Sequence, residues 1–166
     1  AINSLGSDAV AAVTAASKVQ SIVSQPMETM GASMATYCGQ NLGAKKPARI
    51  KQGIIQASIA NMLIGVAGCI LILLVGDKIA LLFIKPEEVD LLSNIRQYLA
   101  ICSYFYPILS LIFTLRYSLQ GLGFSAQAMT AGLFELVARS AVAFLLVGTL
   151  GFYAVCLSNP IAWIAA

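Results

Sequence analysis

The chain has 166 residues, of which 59% are apolar and 10% charged, with ten Lys and Arg against seven Asp and Glu and no histidine. Soluble domains carry about 25% charged residues, so this composition cannot cover a soluble surface and places the chain in the membrane class. The net charge of +3 is not a nucleic-acid footprint, because the cations stand at the ends of apolar runs.

Charge-free runs occupy 52–76, 97–115, 117–134 and 140–166. About 18–20 apolar residues cross a bilayer as a helix, and lipid leaves the backbone no partner but itself, so these runs predict helices. The first predicted helix covers about 8–42 and opens at the N-cap-like pair Ser7–Asp8. Pro26 is a predicted hinge that kinks or locally breaks it. Gly31, Ala35, Gly39 and Gly43 recur every four residues, a face that lets a neighbouring backbone approach closely or borders a ligand path. Gln40 and Asn41 read as caps at its end. The basic loop GAKKPARIK (43–51) follows, and the second helix covers about 46–75. The stretch DKIALLFIKPEEVD, two lysines against four acids, reads as a short interfacial segment. A third helix is predicted at 87–119, with Pro107 as its hinge. LQGLGFS is a tight turn, a fourth helix covers 124–150, and a fifth starts at 152–166. The sequence begins without Met and stops within the apolar run NPIAWIAA, which reads as a fragment.

Several residues stand out as candidate site groups. Glu28 lies mid-helix, where a charge costs at least about 2.5–3.5 kcal/mol on insertion scales. It reads either as a cation- or proton-binding carboxylate or as a neutral acid bonded to a neighbouring helix. Glu135 and Arg139, four apart, form a helical ion pair in the favourable order, structural or gating on one reading and in direct contact with a transported species on the other. Tyr104 and Tyr106 beside Pro107 are either packing or a cation–π surface for organic cations. Arg116 reads as an anchor snorkelling to the cytoplasmic interface. Cys38, Cys69, Cys102 and Cys156 lie in apolar segments without CxxC or Cys/His spacing, so neither a metal site nor a disulfide frame is expected. Without histidine and with scattered acids, no nucleophile, base and orienter assemble, and an enzyme is not expected.

The segments NSLGSDAVAA, QPMETMGASMATYCGQNLGAKKPARIKQG, RYSLQGLGFS with ELVAR, and SNPIAW together resemble the multidrug and toxic compound extrusion (MATE) transporters, in order and over nearly the whole chain. The resemblance implies an all-α fold, a polytopic transmembrane helix bundle forming part of one six-helix lobe of a twelve-helix protein. It implies efflux of small organic, chiefly cationic, substrates in exchange for Na⁺ or H⁺, with no other cofactor, in a multi-pass cell-membrane protein whose N-terminal lobe is missing here. The alternatives are a flippase for lipid-linked sugars of the same superfamily and a non-transporting truncated module. Some branches carry an aspartate within the tenth helix. No acid stands between Asp90 and Glu135 here, so that cation site is not carried over.

The positive-inside bias puts the 43–51 loop, with Lys45, Lys46, Arg49 and Lys51, in the cytoplasm and the 76–90 loop outside. Single cysteines at positions 46 and 88, in a background without native thiols, test this with an impermeant maleimide on intact cells. Position 88 is expected to react and position 46 to be protected; the opposite pattern inverts the topology.

Overall fold

The computed structural model describes residues 6–81 and 89–166. Its helices are α1 (Ser7–Gly43), α2 (Pro47–Ala80), α3 (Val89–Ser103), α4 (Tyr106–Gly121), α5 (Ser125–Leu145), α6 (Val147–Leu150) and α7 (Phe152–Ala165). No strand occurs among the described residues, and the protein is an all-α membrane bundle.

α1 runs through Pro26 without a break, so the local break allowed for there does not form. Pro26 removes one backbone donor, yet the flanking turns hold: the Thr29 hydroxyl donates to the Gln25 carbonyl at 2.9 Å and Ser24 to the Ser21 carbonyl at 3.3 Å. At its end the Asn41 amide donates back to the Tyr37 carbonyl, and the Gln40 and Asn41 carbonyls receive the Ala44 and Lys46 amides.

The predicted third helix, 87–119, is instead two helices meeting at 55° across Tyr104–Phe105; residues 87 and 88 lie outside the described part. Pro107 sits in the first turn of α4, where its missing N–H interrupts no helical bond, and that favours a fresh start over continuation of α3. The fourth predicted helix, 124–150, is likewise divided at Leu146 into α5 and α6. Gly151 then turns the chain at φ 55° and ψ −130°, a conformation open in practice to glycine alone.

Among the described residues, two helical stretches are long and apolar enough to cross a membrane, Pro47–Gly76 and Ser125–Leu145, with α3 and α4 a third if the bent pair is one span. Four crossing helices and the start of a fifth were expected. α1 has the length, 37 residues or about 55 Å, but Thr14, Ser17, Gln20, Ser21, Ser24 and Glu28 dilute its apolar character. α7, at 14 residues, is short.

α1, α2 and α4 all pack against one another, and the small-residue face of α1 is where it meets α4. A Cβ on Gly31 would lie 2.9 Å from the Phe113 backbone, and one on Gly121 would lie 2.2 Å from the Ala35 carbonyl oxygen. Gly43 has nothing within 4 Å, so the close contact fades toward the end of α1. Asn61 of α2, fully buried, completes the junction. Its side-chain amide donates to the Met27 carbonyl at 3.1 Å, the Ser110 carbonyl at 2.9 Å and the Thr114 hydroxyl at 2.9 Å. Around this junction, Ala12, Ala16, Val19 and Val23 of α1 pack with Ile95, Leu99 and Cys102 of α3 and Trp163 of α7.

Gly121→Leu must force α1 from α4 and is expected to cost about 1–3 kcal/mol, as overpacking usually does. Gly43→Leu, facing open space, serves as the control and should cost far less. Unfolding in detergent by titrated dodecyl sulfate measures both, and equal losses would remove the close-approach account.

Candidate functional site

A cavity of about 280 Å³ opens between α1, α4, α5 and α7. Its α1 wall is polar: Ser17, Ser21 and Ser24 follow each other at four- and three-residue steps on one face, with Gln20 beside them. Ser21 and Ser24 satisfy their hydroxyls on their own helix, donating to the carbonyls of Ser17 and Ser21. The opposite wall is apolar, with Leu109, Ile112 and Phe113 of α4 and Trp163 of α7. A second cavity of about 370 Å³ adjoins it, shares Ser17, Arg139 and Asn159, and is otherwise lined largely by apolar residues such as Val142, Val147 and Val155.

Charge is concentrated where the cavities meet α4 and α5. Glu135 is hydrogen-bonded by one guanidinium group and lies within ion-pair distance of a second. Arg116 donates through Nη2 to its Oε1, and Arg139 places Nη2 3.6 Å from its Oε2. The Glu135–Arg139 spacing was legible as an i, i+4 pair; the Arg116 partner was not. Arg116, read from the sequence as an interfacial anchor, is ion-paired, because the tight turn at 122–124 folds α5 back along α4 and brings Glu135 beside it. Side-chain exposures of 22% for Arg116, 17% for Glu135 and 47% for Arg139 leave Arg139 the most open member. The cluster carries one net positive charge. Among the described residues, Arg116 Nε and Gln20 Oε1 are buried without a hydrogen-bond partner, as are Asn61 Oδ1 and Tyr106 Oη in the packed interior.

The other candidates fall elsewhere. Glu28 continues the Ser17–Ser21–Ser24 row one turn on, is half-buried, and accepts one long bond, 3.4 Å, from the Tyr117 hydroxyl. It borders the cavity's face of α1 without lining it. Tyr106 is fully buried, its ring 6.5 Å from that of Trp163 and tilted by 54°. Tyr104, at the α3–α4 break, is 65% exposed. Neither tyrosine lines the two cavities, so they share no aromatic wall with Arg139. Pro26 lies inside α1 and Pro107 opens α4.

Sequence reading missed three participants. Asn61 could have been noticed as an amide deep in an apolar run, since such groups in lipid seek interhelical partners. Tyr98 and Asn159, joined by a 2.7 Å bond from the Asn159 amide to the Tyr98 hydroxyl, tie α3 to α7 beside the second cavity. Their pairing across 61 residues has no local signal.

These features define the class: an all-α membrane protein whose bundle encloses a charged, amphipathic cavity. The chain belongs to the MatE family, whose model matches residues 1–163. Members of that family are transporters, not enzymes. Over 87 residues, 52% of the chain, it is 32% identical to the probable multidrug resistance protein YoeA of Bacillus subtilis (strain 168). That match spans 19% of the relative's length. No solved structure matches the chain significantly.

If Glu135 is held chiefly by Arg116, Arg116→Gln should destabilise the bundle more than Arg139→Gln, by about 1–2 kcal/mol, because it strands a half-buried carboxylate. The double variant Arg116→Gln, Glu135→Gln should recover part of that loss. Dodecyl sulfate unfolding of these proteins, the parent and the single Glu135→Gln variant measures the coupling; strictly additive losses of Arg116→Gln and Glu135→Gln would show that the pair does not act as a unit.

Proposed function

We propose that the chain forms part of one lobe of a two-lobed secondary transporter that exports small organic molecules from the cell in exchange for Na⁺ or H⁺. The observation that carries this reading is the cavity between α1, α4, α5 and α7, half polar and half apolar, in a chain of the MatE family. Such a lining can hold a drug-sized amphipathic molecule while a few polar groups orient it. The name of the Bacillus relative agrees with drug export. In this reading the protein is a multi-pass cell-membrane protein. The exposed cations Lys45, Lys46, Arg49 and Lys51 at the α1–α2 turn support a cytoplasmic position for that loop.

Glu28 is the coupling carboxylate in this proposal. It stands mid-helix with one long hydrogen bond, so most of its acceptor capacity is unused by the protein. A carboxylate in that position can take a proton or an alkali cation in one conformation and release it in the other, as ionisable groups within membrane spans commonly do. The flippase reading is less well supported. Of the two arginines at the cavity, one is already neutralised by Glu135, which leaves too little positive charge for a pyrophosphate.

Glu28→Gln in the two-lobed protein is expected to abolish coupled export, because an amide keeps the shape but cannot exchange a proton or hold a cation as a carboxylate does. Glu28→Asp should retain part of the activity with a shifted pH dependence. Loss of stability should stay near 1 kcal/mol, the scale of one altered hydrogen bond. Ethidium efflux from cells at matched membrane levels, across external pH and sodium, is the measurement. Wild-type efflux by Glu28→Gln under every condition would remove Glu28 from the coupling step.

A further inference from the structure

We propose that Arg139, with Arg116 behind it, forms a subsite for a single carboxylate borne on a compact apolar body. The inference deepens the transport reading by naming a ligand class for the same cavity, and equilibrium binding tests it without transport, so either can fail alone.

Charge points to an anion. Among the described residues lining the two cavities, Glu135 is the one acid and Arg116 and Arg139 are the bases, which leaves one unmatched positive charge. That excess suits a monocarboxylate.

Hydrogen-bond capacity points the same way. A guanidinium offers five N–H donors in a fixed fork that matches a carboxylate in two-point fashion. Arg139 makes a single 3.6 Å contact with Glu135, longer than a hydrogen bond, and its side chain is the most exposed of the three. Its fork therefore has an unused edge where the two cavities join. Arg116 Nε, buried without an acceptor, lies in the same wall. Ser17 and Asn159, shared by both cavities, supply neutral polar groups next to Arg139.

The rest of the lining selects what the carboxylate is attached to. Leu109, Phe113 and Trp163 on one side and Val142 and Val155 on the other surround the charge with apolar surface. Cavities of 280 and 370 Å³ are at the small end of ligand sites, which fits a compact body better than an extended chain. Glu135 competes with the ligand for Arg139, and its long contact is readily given up. A purely cationic molecule meets the opposite field at this subsite, and a transported cation such as ethidium would have to seat away from Arg139. The positive end of a zwitterion would have to lie toward Glu28.

Three probes with one shared body separate these possibilities: adamantane-1-carboxylate, adamantane-1-carboxamide and 1-adamantylammonium. The chain is purified into lipid nanodiscs, and binding is followed by calorimetry and by the fluorescence of Trp163, the single tryptophan, which lines the cavity. The carboxylate is expected to bind about tenfold more tightly than the amide, the scale of a charged hydrogen-bonded pair, and the ammonium most weakly. Arg139→Gln should erase the preference for carboxylate over amide by weakening the carboxylate far more than the amide, and Arg139→Lys should restore part of it. Glu135→Gln, which removes the competitor, should tighten carboxylate binding, a gain that misfolding cannot imitate. Ammonium binding equal to or tighter than carboxylate binding overturns the proposal, and so does a preference that survives Arg139→Gln. If Arg139→Gln loses the amide as well, Glu135→Gln decides: unchanged or weaker carboxylate affinity overturns the site.

Discussion

In a bilayer, apolar side chains gain little by leaving lipid for another helix, so helices are held by close backbone packing and by polar contacts between them. The α1–α4 junction uses both. Gly31 lies under the Phe113 backbone and Gly121 under the Ala35 carbonyl, and Asn61 of α2 donates to Met27 of α1 and to Ser110 and Thr114 of α4. One buried amide thus locks three helices whose backbones are too close for larger side chains. The cavity walls inherit their spacing from this contact, since Ser17 to Ser24 lie on α1 and Leu109 to Arg116 on α4.

Polar residues elsewhere in the bundle are kept inexpensive in a different way. Thr14, Ser21, Thr29 and Ser33 of α1, and Ser110, Thr114 and Ser118 of α4, return their hydroxyl protons to carbonyls three or four residues earlier. This satisfies the donors within each helix and leaves oxygen lone pairs on the surface. α1 can therefore present a polar wall to a cavity without calling on a neighbour for every group. Among the described residues the exceptions are Gln20 Oε1 and Arg116 Nε at the cavity and Asn61 Oδ1 and Tyr106 Oη in the packed interior.

The break at Tyr104–Phe105 has a structural consequence for the site. A straight 87–119 helix would carry Tyr106 and Arg116 along one axis with α3. The 55° bend instead lets α3 pack on α7 through Tyr98 and Asn159 while α4 stays against α1. Tyr106 fills the elbow, buried against Trp163, so its ring packs the interior, and Trp163 is the aromatic residue of that pair that reaches the cavity.

Composition and local spacing determined the membrane class, the helical content, the small-residue face of α1 and the Glu135–Arg139 pair. Each depends on residues close in the chain or on the cost of charge in lipid, and both can be read along a line. Tertiary structure alone decided that Arg116 pairs with Glu135, that Asn61 is the interhelical lock, that Tyr104 and Tyr106 part company, and that α1 continues as one helix through Pro26. The Asn61–Thr114 bond spans 53 residues. Such contacts depend on how each helix is rotated about its axis, and a helix apolar on nearly every side has no periodicity from which that rotation can be read. The hinge at Pro107 lay between these cases. The proline was plain in the sequence, but whether it bends a helix or begins a new one depends on what the two halves can pack against.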